Sequence, residues 1–101
     1  MTAYKWLLII DPVAQERFDS LPSAQKRAIF RHLRELLNAD DPNALSFVEI
    51  LKDKKFSRMR KFRAGDYRVF FALESKEVND AETIYKGSLF LLDIRDRKEA
   101  Y

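Results

Sequence analysis

Residues 52–73 read KDKKFSRMRKFRAGDYRVFFAL, and this stretch decides the fold. Arg58 to Arg63 reads as a strand, Ala64-Gly65-Asp66 as a turn, and Tyr67 to Leu73 as a second strand returning beside the first. Gly65 supplies the positive φ that such a turn requires. Side chains of a strand alternate between its faces, which puts Met59, Lys61 and Arg63 on one side and Arg58, Arg60 and Phe62 on the other. Residues 52–68 hold eight cations (Lys52, Lys54, Lys55, Arg58, Arg60, Lys61, Arg63, Arg68) and two anions (Asp53, Asp66), a net +6. The whole chain carries +3, so the remainder sums to −3. Positive charge is thus concentrated on the hairpin. A cationic face on a rigid sheet suits a polyanion, because each Lys or Arg set against a phosphate releases condensed counterions. The plainer alternative is an edge strand whose charges block pairing with other chains.

Upstream of the hairpin, Tyr4 to Ile10 reads as a first strand, apolar enough to be buried on both faces. Asp11-Pro12 opens a helix, with Asp as N-cap and Pro at the first helical position. Val13, Ala14, Phe18 and Leu21 form its apolar side. Pro22-Ser23 starts a second helix in which Ala28, Ile29, Leu33, Leu36 and Leu37 follow amphipathic spacing. Lys26, Arg27, Arg31 and Arg34 lie mostly off that stripe, and residues 38–43 end the helix. Phe47 to Leu51 is either a strand end or an ordered loop. Downstream, Asn79-Asp80 marks a second turn, and Thr83 to Ile94 reads as one long central strand. The order predicts an α+β fold. An N-terminal strand and a helical hairpin pack on one face of a mostly antiparallel sheet of about four strands.

At 101 residues the chain is sized for one domain, 1–101, burying a modest core. Its composition, 47% hydrophobic and 35% charged, is that of a soluble globular protein. The absence of Cys excludes disulfides, thiolate metal sites and Cys nucleophiles, and fits a reducing cytoplasm. The apolar run Trp6 to Ile10 is too short for a signal-peptide core or a membrane span, and nothing points to export.

Catalytic candidates are few. The single histidine, His32, sits mid-helix, where a boundary or surface role is expected. No HExxH, Walker loop, GxSxG or EF-hand pattern occurs. Asp93 and Asp96 are read as ion-pair partners of Arg95 and Arg97 rather than as metal ligands, so no metal or cofactor is expected. Lys, Arg and Tyr remain. Those types suit phosphodiester cleavage of RNA by its own 2′-hydroxyl, because Arg and Lys clamp the phosphate and offset charge that develops in the transition state. A Tyr or Lys in a cationic pocket is also improved as a general base. Tyr67 and Trp6 are read as packing residues.

RAGDYRVFF after a basic strand, and IRDRKEAY at residues 94–101, resemble the RelE/ParE superfamily of bacterial toxins from type II toxin–antitoxin operons. DPVAQERFDSLPSAQKRAIFRHLRELL is similar to the helical hairpin of that family, and the likeness runs through nearly the whole chain in order. The resemblance implies a RelE-like fold and one of two activities. RelE-type members are ribosome-dependent endoribonucleases that cut mRNA in the A site, whereas ParE-type members poison DNA gyrase. The family pattern implies four catalytic positions here: Lys61 and Arg68 as phosphate-stabilising cations, Arg95 as an acid-side or electrostatic group, and Tyr101 as general base. Holding all four favours the ribonuclease branch. One position departs, because Met59 stands where the family carries its first catalytic lysine; a chain lacking that cation also fits a degenerate, non-cleaving toxin. Lys52, Lys54, Lys55, Arg58, Arg60 and Arg63 are candidates for contacts to RNA or the ribosome, and Arg97 either joins them or pairs with Asp93 or Asp96. The implied partners are a cognate antitoxin, the ribosome with its mRNA, and operator DNA through the antitoxin complex, with no membrane.

Overall fold

A computed structural model of the chain describes residues 4–51 and 59–97. The elements run β1 (Trp6–Ile10), α1 (Pro12–Asp19), α2 (Ser23–Asn38), a short 3-10 turn (Pro42–Ala44), β2 (Glu49–Ile50), β3 (Met59–Ala64), β4 (Tyr67–Glu74), β5 (Val78–Asp80), β6 (Thr83–Tyr85) and β7 (Gly87–Asp96). Five strands form one sheet in the order β1-β7-β4-β3-β2, and β5 and β6 make a separate two-stranded ribbon. All neighbours in the large sheet are antiparallel except β1, which runs parallel to β7. The architecture is α+β, as the element order predicts. No described helix is long and apolar enough to cross a membrane.

Local chemistry explains the helices. Asp11 caps α1, its carboxylate accepting from the Val13 amide at 2.9 Å, and Pro12 occupies the first turn, where its missing N–H costs nothing. Along α2, Ile29, Leu33, Leu36 and Leu37 are buried and face the sheet. The chain entering β1 closes the far end of α2. The Lys5 amide donates to Leu37 O at 2.8 Å, and the Trp6 indole N–H donates to Ala39 O at 2.9 Å. Two carbonyls near a helix C-terminus are thereby satisfied by the strand that the helix packs on. Asp40, just beyond, meets Lys5 at 2.7 Å and Lys86 at 3.7 Å. The Lys5 ammonium beside it holds its carboxyl below the usual carboxylate range.

The core lies between helices and sheet: Phe62 and Ala64 from β3, Val69 and Phe71 from β4, Leu89, Leu91 and Ile94 from β7, and the α2 stripe. Each fully buried Phe, Leu or Ile in this set contributes about 1.5–3 kcal/mol relative to an exposed position. Register ties the alternation together. Phe62 lies opposite Val69, Val69 opposite Ile94, and Phe71 opposite Leu91. The β4–β7 ladder slips once: Phe70 faces Asp93 while Phe71 faces Leu91, making Leu92 the extra residue of a bulge.

The structure corrects three sequence expectations. The first strand packs on the core through Trp6, Leu8 and Ile10 only, so Ile9 on its other face is exposed rather than buried, and Val13 of α1 is exposed as well. The second turn falls at Ala81-Glu82 instead of Asn79-Asp80, which lie in β5; Ala81 takes φ 54°, a conformation for which Asn or Gly is the usual signal. Thr83 to Ile94 is two strands, broken at Lys86, whose amide donates to Lys5 O at 2.8 Å.

Gly87 opens β7 between Trp6 of β1 and the end of β4. A methyl group there would collide with the Glu74 carbonyl and lie 2.6 Å from the Trp6 ring. Gly87→Ala is therefore expected to destabilise the fold by about 1–3 kcal/mol. A urea midpoint equal to that of the wild type would contradict this packing.

Candidate functional site

Strand alternation carries a second set of residues on the face away from the helices. Arg63 of β3 lies opposite Arg68 of β4, and Arg68 lies opposite Arg95 of β7. Three arginine positions thus share one row of the register across three adjacent strands. Paired Cβ atoms in such a ladder are about 4.5–5.5 Å apart, close enough for like charges to be destabilising. A parallel row two residues along reads Glu49, Lys61, Phe70 and Asp93. The two rows together place the sequence-predicted Lys61, Arg68 and Arg95 on one surface.

Counter-charges lie at both ends of the second row. Lys61 Nζ is 3.6 Å from a Glu49 carboxylate oxygen; the Lys61 side chain is only 16% exposed, whereas that of Glu49 is 68% exposed. At the other end, Asp93 accepts from Arg95 Nε at 2.7 Å and lies 3.3 Å from Arg17 Nε of α1. Asp93 orients Arg95 from its own strand. The expected pairing of Asp93 with Arg95 is present, and Arg97 is anchored through its backbone, its amide donating to Asp66 O at 2.7 Å.

A cleft of about 260 Å³ opens beside Lys61, lined by Phe47, Glu49, Lys61, Phe62, Arg63 and Arg68. It is polar, cationic on one wall and aromatic on the other. Phe47 is held by His32, whose ring meets it edge-on at 4.5 Å and stacks on Phe62 at 5.2 Å. His32 Nδ1 is 3.1 Å from Ala28 O. The lone histidine is thus a half-buried support for the cleft's aromatic wall, brought there by a helix–sheet contact invisible in sequence order.

Other expected residues distribute as follows. Met59 sits on the same face as Lys61, opposite Ala72. Arg60 points to the helix side, where its Nε donates to Asn43 Oδ1 at 2.8 Å, so it is not brought together with the cluster. Tyr67 is half-buried against the core, Trp6 is buried, and Gly65 takes φ 60°. Lys52, Lys54, Lys55, Arg58 and Tyr101 lie outside the described residues. Glu49 escaped sequence reading. The one available signal was a carboxylate inside the apolar segment Phe47–Leu51, and only the β2–β3 register turns it into a cleft residue. Among the described residues, no three His, Cys, Asp or Glu side chains cluster as a metal site.

The sheet order, the helical hairpin and the cationic face define an α+β fold of the RelE kind. No protein-family model matches the chain, and no curated protein matches its sequence. Solved structures do match. A chain of the archaeal RelE–RelB complex from Pyrococcus horikoshii is 22% identical, with a TM-score of 0.68 over 95% of this chain and 99% of that one. A chain of the RelB–RelE antitoxin–toxin complex from Methanococcus jannaschii is 16% identical, with a TM-score of 0.62 over 92% and 94%. One from the RelBE2 toxin–antitoxin complex of Mycobacterium tuberculosis is 17% identical, with a TM-score of 0.59 over 92% and 99%. This protein has the RelE fold.

The arginine row has an energetic signature of its own. Arg63 is exposed, and replacing it removes one like-charge contact without opening a cavity. Arg63→Gln is expected to leave stability unchanged or raise it by about 0.2–1 kcal/mol at low salt, the difference shrinking as salt screens the row. Thermal melts at two ionic strengths check this; a clear loss of stability at low salt would contradict it.

Proposed function

We propose that this protein is a RelE-like toxin: a ribosome-dependent endonuclease that cuts mRNA, needs no metal and is held inactive by a cognate antitoxin. The observation that carries the reading is the row Arg63–Arg68–Arg95 set beside Lys61 on one rigid face. A sheet bears the cost of crowded guanidinium groups where a polyanion is to be held, and a phosphodiester supplies the missing negative charge. The solved RelE–RelB complexes, which share the fold, point the same way.

In this mechanism the substrate's 2′-hydroxyl attacks the adjacent phosphorus, the P–O5′ bond breaks, and a cyclic phosphate and a 5′-hydroxyl result. Lys61 and Arg68, both in the cleft, bind the scissile phosphate and stabilise the charge that grows on it. Arg95, held by Asp93 and opposite Arg68 in the register, takes the acid-side or electrostatic role that the resemblance implies. Tyr101 takes the general-base role that the resemblance implies. Glu49 holds Lys61 and is the one carboxylate of the cleft lining among the described residues. In this reading the ribosome supplies the orientation of mRNA that one cationic face does not supply alone. The antitoxin would lay an acidic or amphipathic segment over this face and the helices, and operator DNA would be met through that complex.

On translating ribosomes, the protein is expected to give discrete mRNA cuts while leaving naked RNA nearly intact. Lys61→Ala and Arg68→Ala should each lower cleavage about 100-fold or more. Met59→Lys, on the same face, should raise it. Loss of cutting in Tyr101→Phe with retention in Glu49→Gln supports the tyrosine base, and the reverse moves that role to Glu49. Uncut mRNA together with trapped gyrase–DNA complexes would replace this reading with the ParE-type one.

A further inference from the structure

We infer that the outer face of α2 is a second RNA-docking surface, on the far side of the sheet from the cleft, that takes an unpaired nucleotide of a structured RNA. The amphipathic helix buries Ile29, Leu33, Leu36 and Leu37 against the sheet, which leaves Lys26, Arg27, Phe30, Arg31 and Arg34 pointing outward. These residues, with Phe18 of α1 and Glu35, line an open groove of about 560 Å³ between the two helices. Four cations share that groove with one carboxylate. Helix geometry places Arg27 and Arg31 one turn apart, about 6 Å along the axis, with Lys26 and Arg34 flanking them. Among the described residues none of the four is ion-paired, and Arg34 lies over the Phe30 ring, 5.3 Å from its centroid. Phe30 nonetheless remains 41% exposed.

Charge complementarity limits the occupant to something anionic, and the apolar content decides which kind. An amphipathic acidic helix needs a row of apolar anchors at successive turns, and this face offers a single large exposed one. One aromatic ring ringed by cations instead matches a nucleotide, whose base stacks on the ring while its phosphates meet the flanking guanidinium groups. Arg predominates over Lys, which favours bidentate phosphate contacts. The inference rests on the ribosome reading above and deepens it: mRNA is held at the cleft, and ribosomal RNA is gripped by α2 on the opposite side. A toxin held from both sides is fixed in orientation, which one cationic face alone would not achieve.

The test measures binding of fluorescently labelled protein to vacant ribosomes, alongside the dependence of mRNA cutting on ribosome concentration. For the Arg27→Gln/Arg31→Gln double variant, the expected result is about tenfold weaker binding, with a log–log salt slope shallower by about 1.4–1.8. Phe30→Ala should weaken binding about tenfold with little change in slope, and Phe30→Trp should restore it. The half-saturating ribosome concentration should rise in step, while the maximal cutting rate remains set by the cleft. Unchanged affinity and slope in both variants, with a wild type that binds and cuts, would overturn the α2 surface and leave the proposed function standing. If the wild type neither binds nor cuts, the proposed function fails, and a labelled RNA hairpin with an unpaired loop becomes the probe. Equal hairpin binding by wild type and double variant would then overturn the inference too. Retained RNA affinity combined with lost binding of a glutamate-rich helical peptide would likewise overturn it in favour of a protein-docking face.

Discussion

A one-residue slip in the pairing of β3, β4 and β7 would turn Arg63, Arg68 and Arg95 toward the core and Phe62, Val69 and Ile94 toward solvent. The face pattern of these three strands, with the one bulge at Leu92 that returns Ile94 to the core side, is the constraint on which everything else depends. It builds the hydrophobic layer and the cationic layer from the same strands, one on each face. Burying a guanidinium group in an apolar core is costly enough that the register has no near competitor. The Gly65 turn starts the pairing of β3 with β4, and Gly87 lets β7 lie tight between β4 and β1. The site is therefore as rigid as the core beneath it.

That coupling explains why the cationic row persists despite its self-repulsion. Each strand contributes an arginine whose backbone position is set by the core register beneath it. Glu49 and Asp93 temper the field from the two sides of the face: one holds Lys61, and the other holds Arg95 and Arg17. The Lys61 side chain is largely buried between β2 and the cleft, which holds its ammonium beside Glu49. Hydrogen bonding to a substrate oxygen is stronger in such a position than on an open surface.

Much of this architecture was legible from residues alone because it rests on local rules. The Asp11-Pro12 helix start, the α2 stripe, the Gly65 turn and the two faces of Met59–Ala64 all follow from capping, periodicity and strand alternation. What escaped was non-local. That β1 is an edge strand depends on which neighbour it finds, and an apolar run does not reveal how many faces are covered. The Ala81 turn lacks the Gly or Asn that would announce it. His32 meets Phe47 and Phe62 only because α2 crosses β3, and Glu49 joins Lys61 only through the pairing of a two-residue strand. Lys61, Arg68 and Arg95 were candidates through a family resemblance; their alignment in neighbouring rows came from the β3–β4 and β4–β7 registers. Met59, Lys61 and Arg63 share a face as alternation requires, whereas Arg60 is occupied on the other side by Asn43.

The central claim is that this cationic sheet face cuts RNA by using the substrate's own 2′-hydroxyl. The most direct measurement programmes ribosomes with an mRNA bearing a single 2′-deoxy nucleotide on the 5′ side of the mapped cut and follows cleavage at single turnover. The account predicts that the all-ribose message is cut to a 2′,3′-cyclic phosphate and a 5′-hydroxyl, and that the deoxy-substituted message resists cutting at that bond. Equal cleavage of the two messages, or a product bearing a 5′-phosphate, would contradict it.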